Sequence, residues 1–234
     1  VIPLHDDAPT RHPPLLTVAF IALCAVVFLW QVLGDQTHQV NAIYALGVIP
    51  SVLLGYAYLD PDIALVPATA TIFTSMFLHG GWMHLIGNML YLWIFGNNVE
   101  ESMGHGRFVV FYILCGVAAV FAQVLPNPES QIPMVGASGA ISGVLGAYLL
   151  LLPRARVLVA VPLGFYFPTV RLPAAVVLCL WFVLQLANSL LAESGQGGVA
   201  FGAHIGGFIA GMALIPFFKK AGVRLKNPIT ALGR

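Results

Sequence analysis

The chain has 234 residues, of which 59% are hydrophobic and only 8% charged, against roughly 25% charged in an ordinary soluble domain. A soluble fold of this size could not cover its surface with so few charges. The net charge of +1 supplies no field for attracting nucleic acid. Cys24, Cys115 and Cys179 all fall in apolar runs and read as small core hydrophobes rather than a disulfide framework or a metal site.

Residues 1–14 carry Asp6, Asp7, Arg11, His12 and four prolines. They form a polar lead-in, with no small-residue cleavage pattern after the first apolar run. Six segments then reach the roughly 17–25 apolar residues that a bilayer requires. They lie near Leu15–Leu33, Phe77–Phe95, Phe108–Leu125, Val135–Leu152, Leu172–Leu191 and Ala200–Phe218. Val48–Leu59 is apolar but short and contains Pro50, so it reads as an interfacial or re-entrant loop. The expectation is an all-α membrane protein, a six-transmembrane-helix bundle over residues 15–218, followed by a basic tail over 219–234.

The basic residues give this bundle a direction. Six spans put the N-terminus, the second and fourth connections and the C-terminus on one side. Arg11, Arg107, Arg154, Arg156, Arg171, Lys219, Lys220, Arg224, Lys226 and Arg234 all lie there. The remaining loops carry only Asp35, Asp60, Asp62, Glu129 and Glu193. Both termini are therefore expected in the cytoplasm. The compact length favours a bacterial plasma membrane.

Polar groups inside a bilayer are costly and call for a reason. Three clusters stand out: His84 with Asn88 in the second segment, Gly136-Ala137-Ser138-Gly139 opening the fourth, and Ala203-His204-Ile205-Gly206-Gly207 opening the sixth. Ser138 precedes Arg154 by 16 residues, His204 precedes Lys219 by 15 and His84 precedes Glu100 by 16. At helical rise each sits roughly 22–24 Å from the inner boundary, so all three share one level toward the outer side.

A serine hydroxyl needs a base to become a nucleophile, and a neutral histidine within reach can serve. The spans contain no Asp or Glu away from their ends, so a Ser138–His204 site must be a dyad with packing orienting His204. His84 and Asn88, four apart, share a helix face. With the Ser138 backbone N–H they are candidate donors to a developing oxyanion. Gly139, Gly143 and Ala147, and Ala203, Gly207 and Gly211, form two small-residue stripes that permit close helix approach. His79 reads as a polar interfacial residue, Ser142 as packing, and His5, His12, His38 and His105 as solvated. Glu193-Ser-Gly-Gln-Gly-Gly198, before His204, reads equally well as a mobile lid or as an ordinary connection.

These motifs resemble those of rhomboid proteases. Met134-Val-Gly-Ala-Ser-Gly-Ala-Ile-Ser-Gly143 is similar to the family's serine motif, and Gly202-Ala-His-Ile-Gly-Gly207 with Gly211 to its histidine motif. His84-Leu-Ile-Gly-Asn88 is similar to its His-x-x-x-Asn motif, and Phe95-Gly-Asn-Asn-Val-Glu-Glu101 resembles the turn that follows. The resemblance covers roughly residues 70–215. It implies Ser138 as nucleophile, His204 as general base and acid, and His84, Asn88 and the Ser138 amide as oxyanion donors. It implies a serine endopeptidase that cleaves transmembrane protein substrates at or near their membrane segments, with no cofactor and no metal. It also implies that the fifth helix and the loop after it gate substrate approach. Some rhomboids pack an aromatic residue, one turn after the serine, on the catalytic histidine. This chain has Ser142 there, which leaves the partner of His204 open.

Rival functions fit less well. An inactive relative that binds clients would not need both Ser138 and His204. A transporter or channel would place polar groups along a path through the midplane, whereas these cluster toward one side. A zinc protease motif such as His-Glu-x-x-His is missing, and so are the paired membrane-embedded Asp residues of an aspartyl protease. Natural substrate and oligomeric state are not encoded in any recognisable motif.

Overall fold

The computed structural model describes residues 2–191 and 199–226. Strand β1 (Ile2–Asp6) leads into helix α1 (Leu15–Leu33). Short helices α2 (Gln36–Leu46), α3 (Pro50–Leu53) and α4 (Thr71–Thr74) follow. The long helices α5 (Trp82–Met103) and α6 (His105–Val124) form a hairpin about Gly104. Helix α7 (Ser138–Leu151), the pair β2 (Arg156–Ala160) and β3 (Thr169–Pro173), α8 (Ala174–Leu191) and α9 (Phe201–Phe218) complete the chain.

Among the described residues four helices, α1, α6, α8 and α9, are long and apolar enough to cross a membrane. The other two expected spans differ for separate reasons. Helix α7 has only 14 residues but is buried along almost its whole length, enclosed by α5, α6 and α9. Helix α5 has 22 residues but carries Asn97, Asn98, Glu100 and Glu101 in its second half. It also starts five residues later than the apolar run suggested. The stretch from Phe95 to Glu101, expected as a turn, is helical. Its polar groups are used internally: the buried Glu100 carboxylate accepts from the N–H groups of Leu16 (2.9 Å) and Thr17 (2.8 Å) and from the Thr17 hydroxyl (2.7 Å). An anion thereby satisfies donors at the first turn of α1.

The expectation of an all-α protein needs one correction. β1, β2 and β3 form a small antiparallel sheet in that order, so part of the polar lead-in is a strand. Asp6, the last residue of β1, is buried and accepts from the Tyr148 hydroxyl of α7. The sheet ties the N-terminal segment to the α7–α8 connection. The Lys220 N–H donates to Ser102 O (2.8 Å), which ties the end of α9 to the α5–α6 turn. Four chain regions that carry the basic residues thus meet at one end of the bundle.

Val48–Leu59 does not span: it contains only the single turn α3 and lies within the α1–α5 connection. Outward-facing Leu and Val residues line α1 and α8, with Trp30 on α1. An apolar surface of that extent is a burden in water and a match for lipid. Cys24 and Cys115 are buried and Cys179 faces outward on α8, all as free thiols.

Candidate active site

Ser138 is the first residue of α7, so its backbone N–H is among the donors that a helix leaves unpaired at its start. The chain leading to it is fixed by backbone bonds. Val48 and Met134 exchange two hydrogen bonds (3.0 and 2.7 Å), and the Gly136 N–H donates to Ser75 O (2.9 Å). Gly136 has φ +125°, a conformation that disfavours a side chain. Any Cβ there would also strike the His84 ring, 2.7 Å from Cε1 and 2.8 Å from Nε2, and lie 3.7 Å from Ser138 Oγ. The missing side chain leaves the space between His84 and the serine. Ser142, one turn on, is buried and donates its hydroxyl to Ser138 O (2.6 Å), a bond to the preceding turn that serines within helices often make.

The two glycine stripes face each other. A Cβ on Gly207 would meet the carbonyl oxygen of Gly139, and one on Gly211 that of Gly143. Helices α7 and α9 therefore touch backbone to backbone. Ala203, directly before His204, lies beside Gly139, directly after Ser138. Gln123 of α6 accepts from the Ala203 N–H (3.2 Å) and completes the first turn of α9.

His204 has two side-chain neighbours on α8. Gln185 Oε1 lies 2.8 Å from its Nδ1, and the Trp181 ring lies 5.8 Å away, tilted by 35°. Phe201 stands edge-on to it at 6.5 Å. The aromatic neighbours of His204 thus come from α8 and α9, not from the Ser142 position on α7.

On α5, the Gly80 N–H donates to His84 Nδ1 (3.2 Å). The neutral ring then carries its proton on Nε2, the edge that faces Gly136 and Ser138. Asn88 is buried one turn on, with Nδ2 donating to His84 O (2.9 Å) and one further N–H to offer. His79 departs from expectation. It is buried rather than interfacial, its backbone N–H and C=O both bonded to the Gln31 amide, its ring edge-on to His84 at 5.2 Å.

His84, Asn88, Ser138 and His204 all line one cavity of about 970 Å³, with Trp181 on its wall. No hydrogen bond joins Ser138 to His204 among the described residues. Such bonds are often loose in unliganded hydrolases. Helix α8 packs mainly on α9, and α5 across the cavity is not among its principal partners. The candidate lid, residues 193–198, lies outside the described residues.

A family model described as "Rhomboid domain" matches residues 67–221. The chain belongs to the rhomboid family. Among similar rhomboid proteins is "Rhomboid protease GluP" of Bacillus subtilis, 29% identical over 94% of this chain and 38% of its own length. "RHOMBOID-like protein 5" of Arabidopsis thaliana is 31% identical over 60% of this chain and 41% of its own. "Rhomboid protein 1, mitochondrial" of Saccharomyces cerevisiae is 29% identical over 80% of this chain and 56% of its own. The chain thus spans roughly two-fifths to just over half the length of these rhomboid relatives.

Gln185 and Gln123 escaped the sequence reading. Both sit in apolar segments, where an uncharged amide is easily passed over. The signal for Gln185 was its place four residues after Trp181, on the same face of the helix.

Proposed function

We propose that this rhomboid is an intramembrane serine endopeptidase that cleaves transmembrane protein substrates at or near their membrane segments. The observation that carries this reading is the convergence of Ser138, His204, His84 and Asn88, from three helices, on one cavity. In the first step Ser138 Oγ bonds to the scissile carbonyl carbon while its proton passes to His204 Nε2. The carbonyl oxygen becomes an oxyanion, stabilised by His84 Nε2–H, Asn88 Nδ2–H and the Ser138 backbone N–H. The C–N bond then breaks, and the leaving amine takes the proton from His204. A water molecule, deprotonated by His204, hydrolyses the acyl ester and restores the serine.

In this reading α1, α5, α6, α7, α8 and α9 are six spans, with both termini cytoplasmic in a bacterial plasma membrane. Helix α7 is short because it is shielded. Its 14 residues cover roughly 21 Å of a hydrocarbon layer about 30 Å thick. Ser138 at its outer end then sits below the surface, and the cavity brings water down to it.

The test is a fluorophosphonate probe on the purified protein. The probe is expected to label Ser138, and Ser138→Ala and His204→Ala each to abolish labelling and substrate cleavage. The double variant is expected to be little worse than either single one. A folded wild-type protein that is not labelled would overturn the reading and favour client binding without cleavage.

A further inference from the structure

Nothing in the proposed chemistry yet assigns work to the two α8 side chains that contact His204. A neutral imidazole carries one proton, on Nδ1 or Nε2. Only the form protonated on Nδ1 has a free Nε2 lone pair for the Ser138 proton. In a soluble triad a carboxylate selects that form. No carboxylate reaches His204 among the described residues, and an uncompensated charge at this depth would be costly. An amide oxygen can make the same selection without charge.

We infer that Gln185 is a positioning residue for His204. Its Oε1, 2.8 Å from Nδ1, accepts the Nδ1–H and so leaves Nε2 as the basic nitrogen. Trp181, on the same face of α8, covers the ring and limits its rotation about the bond to Cβ. When His204 takes the serine proton and becomes charged, the Nδ1–H···O bond strengthens, so Gln185 favours the transition state over the resting state. The amide turned the other way would donate to Nδ1 and fix the unproductive tautomer. This assignment deepens the endopeptidase reading and rests on it.

The test compares Gln185→Leu and Gln185→Glu with wild type in proteoliposomes. Two readouts are taken: the rate of fluorophosphonate labelling together with kcat and KM on a transmembrane substrate, and the His204 tautomer from ¹⁵N shifts of labelled histidine, assigned by difference with His204→Ala. Loss of one neutral hydrogen bond corresponds to roughly ten-fold in rate. Gln185→Leu is therefore expected to lower kcat and the labelling rate by about that factor, with KM unchanged and the Nδ1–H preference lost. Gln185→Glu can only accept when ionised. It is expected to keep the wild-type tautomer and most of the labelling rate. Wild-type kinetics and tautomer in Gln185→Leu would overturn the assignment. So would a reversed tautomer in Gln185→Glu, since it would mean that the native amide donates; that arm decides the matter even if the leucine variant fails to fold. The tautomer readout does not depend on cleavage. A wild-type protein with the Nδ1–H form but no labelling would overturn the endopeptidase reading and leave the Gln185 contact standing.

Discussion

The backbone-to-backbone contact of α7 and α9 gives the sharpest quantitative expectation. In Gly207→Ala the new methyl would meet the Gly139 carbonyl, with the oxygen in the way and the carbon at 3.0 Å, where ordinary contact begins at 3.4 Å. Both obstacles are helix backbone and cannot swing aside. Helix α9 must therefore withdraw from α7 by on the order of 1 Å at this level. Ser138 immediately precedes Gly139 and His204 lies one turn before Gly207, so the displacement falls on the pair itself. A misplacement of that size costs roughly 100-fold in rate, and overpacking costs about 1–3 kcal/mol of stability. Gly207→Val is expected to be worse on both counts. Gly106→Ala is the control, because a Cβ there has nothing within 4 Å. The assay is kcat/KM on a transmembrane substrate in proteoliposomes, alongside an unfolding titration in detergent. Wild-type turnover and an unchanged midpoint in Gly207→Ala would refute the reasoning.

Three further outcomes can be checked. Asn88→Ala is expected to lower kcat more than it raises KM, by at most the roughly 100–1000-fold typical of one oxyanion donor, because His84 and the Ser138 amide remain; a change in KM alone would make Asn88 a substrate-binding group. Burial raises the Asp6 carboxyl above the usual carboxylate range, so the folded chain binds that proton more tightly than the unfolded one. Stability then falls as pH rises from the unfolded value of about 4 toward the raised folded value. Asp6→Asn keeps an acceptor for Tyr148 and is expected to remove that slope from unfolding midpoints; a slope identical to wild type would refute it. A disulfide tying the outer end of α8 to α5, in a background lacking Cys24, Cys115 and Cys179, is expected to block cleavage of a membrane substrate until reduced, while a small probe still reaches Ser138. An unchanged cleavage rate would exclude entry between these helices.

The parts of the fold legible in the sequence were those governed by solvent. The apolar run Leu15–Leu33 is a helix over those same residues, because apolar length alone sets it. Four polar residues of the cavity, His84, Asn88, Ser138 and His204, stand out in the sequence because each is costly where it lies. What escaped was decided by tertiary partners. Glu100 looked like the end of a span, yet it is buried because α1 brings donors to it. Ile2–Asp6 is too short to declare a strand until β2 supplies its pairing. His79 looked interfacial until Gln31, 48 residues away, claimed its backbone. Gln185 carries no charge and breaks no pattern, so its role emerges only when α8 is laid beside α9.

The small sheet also constrains the order of assembly during synthesis. β1 precedes α1 in the chain, but its partner β2 begins at Arg156, after α1, α5, α6 and α7 have been made. Until then the strand has unpaired backbone groups and nothing to pair with. Closing so long a loop is slow. The lower end of the bundle can therefore seal only after α7 is in place, and Asp6 can reach Tyr148 only then. A chain stalled just before residue 156 would carry the whole serine motif on a scaffold whose base is still open, and a pulse-chase experiment with Asp6 as a crosslinking site would date that closure directly.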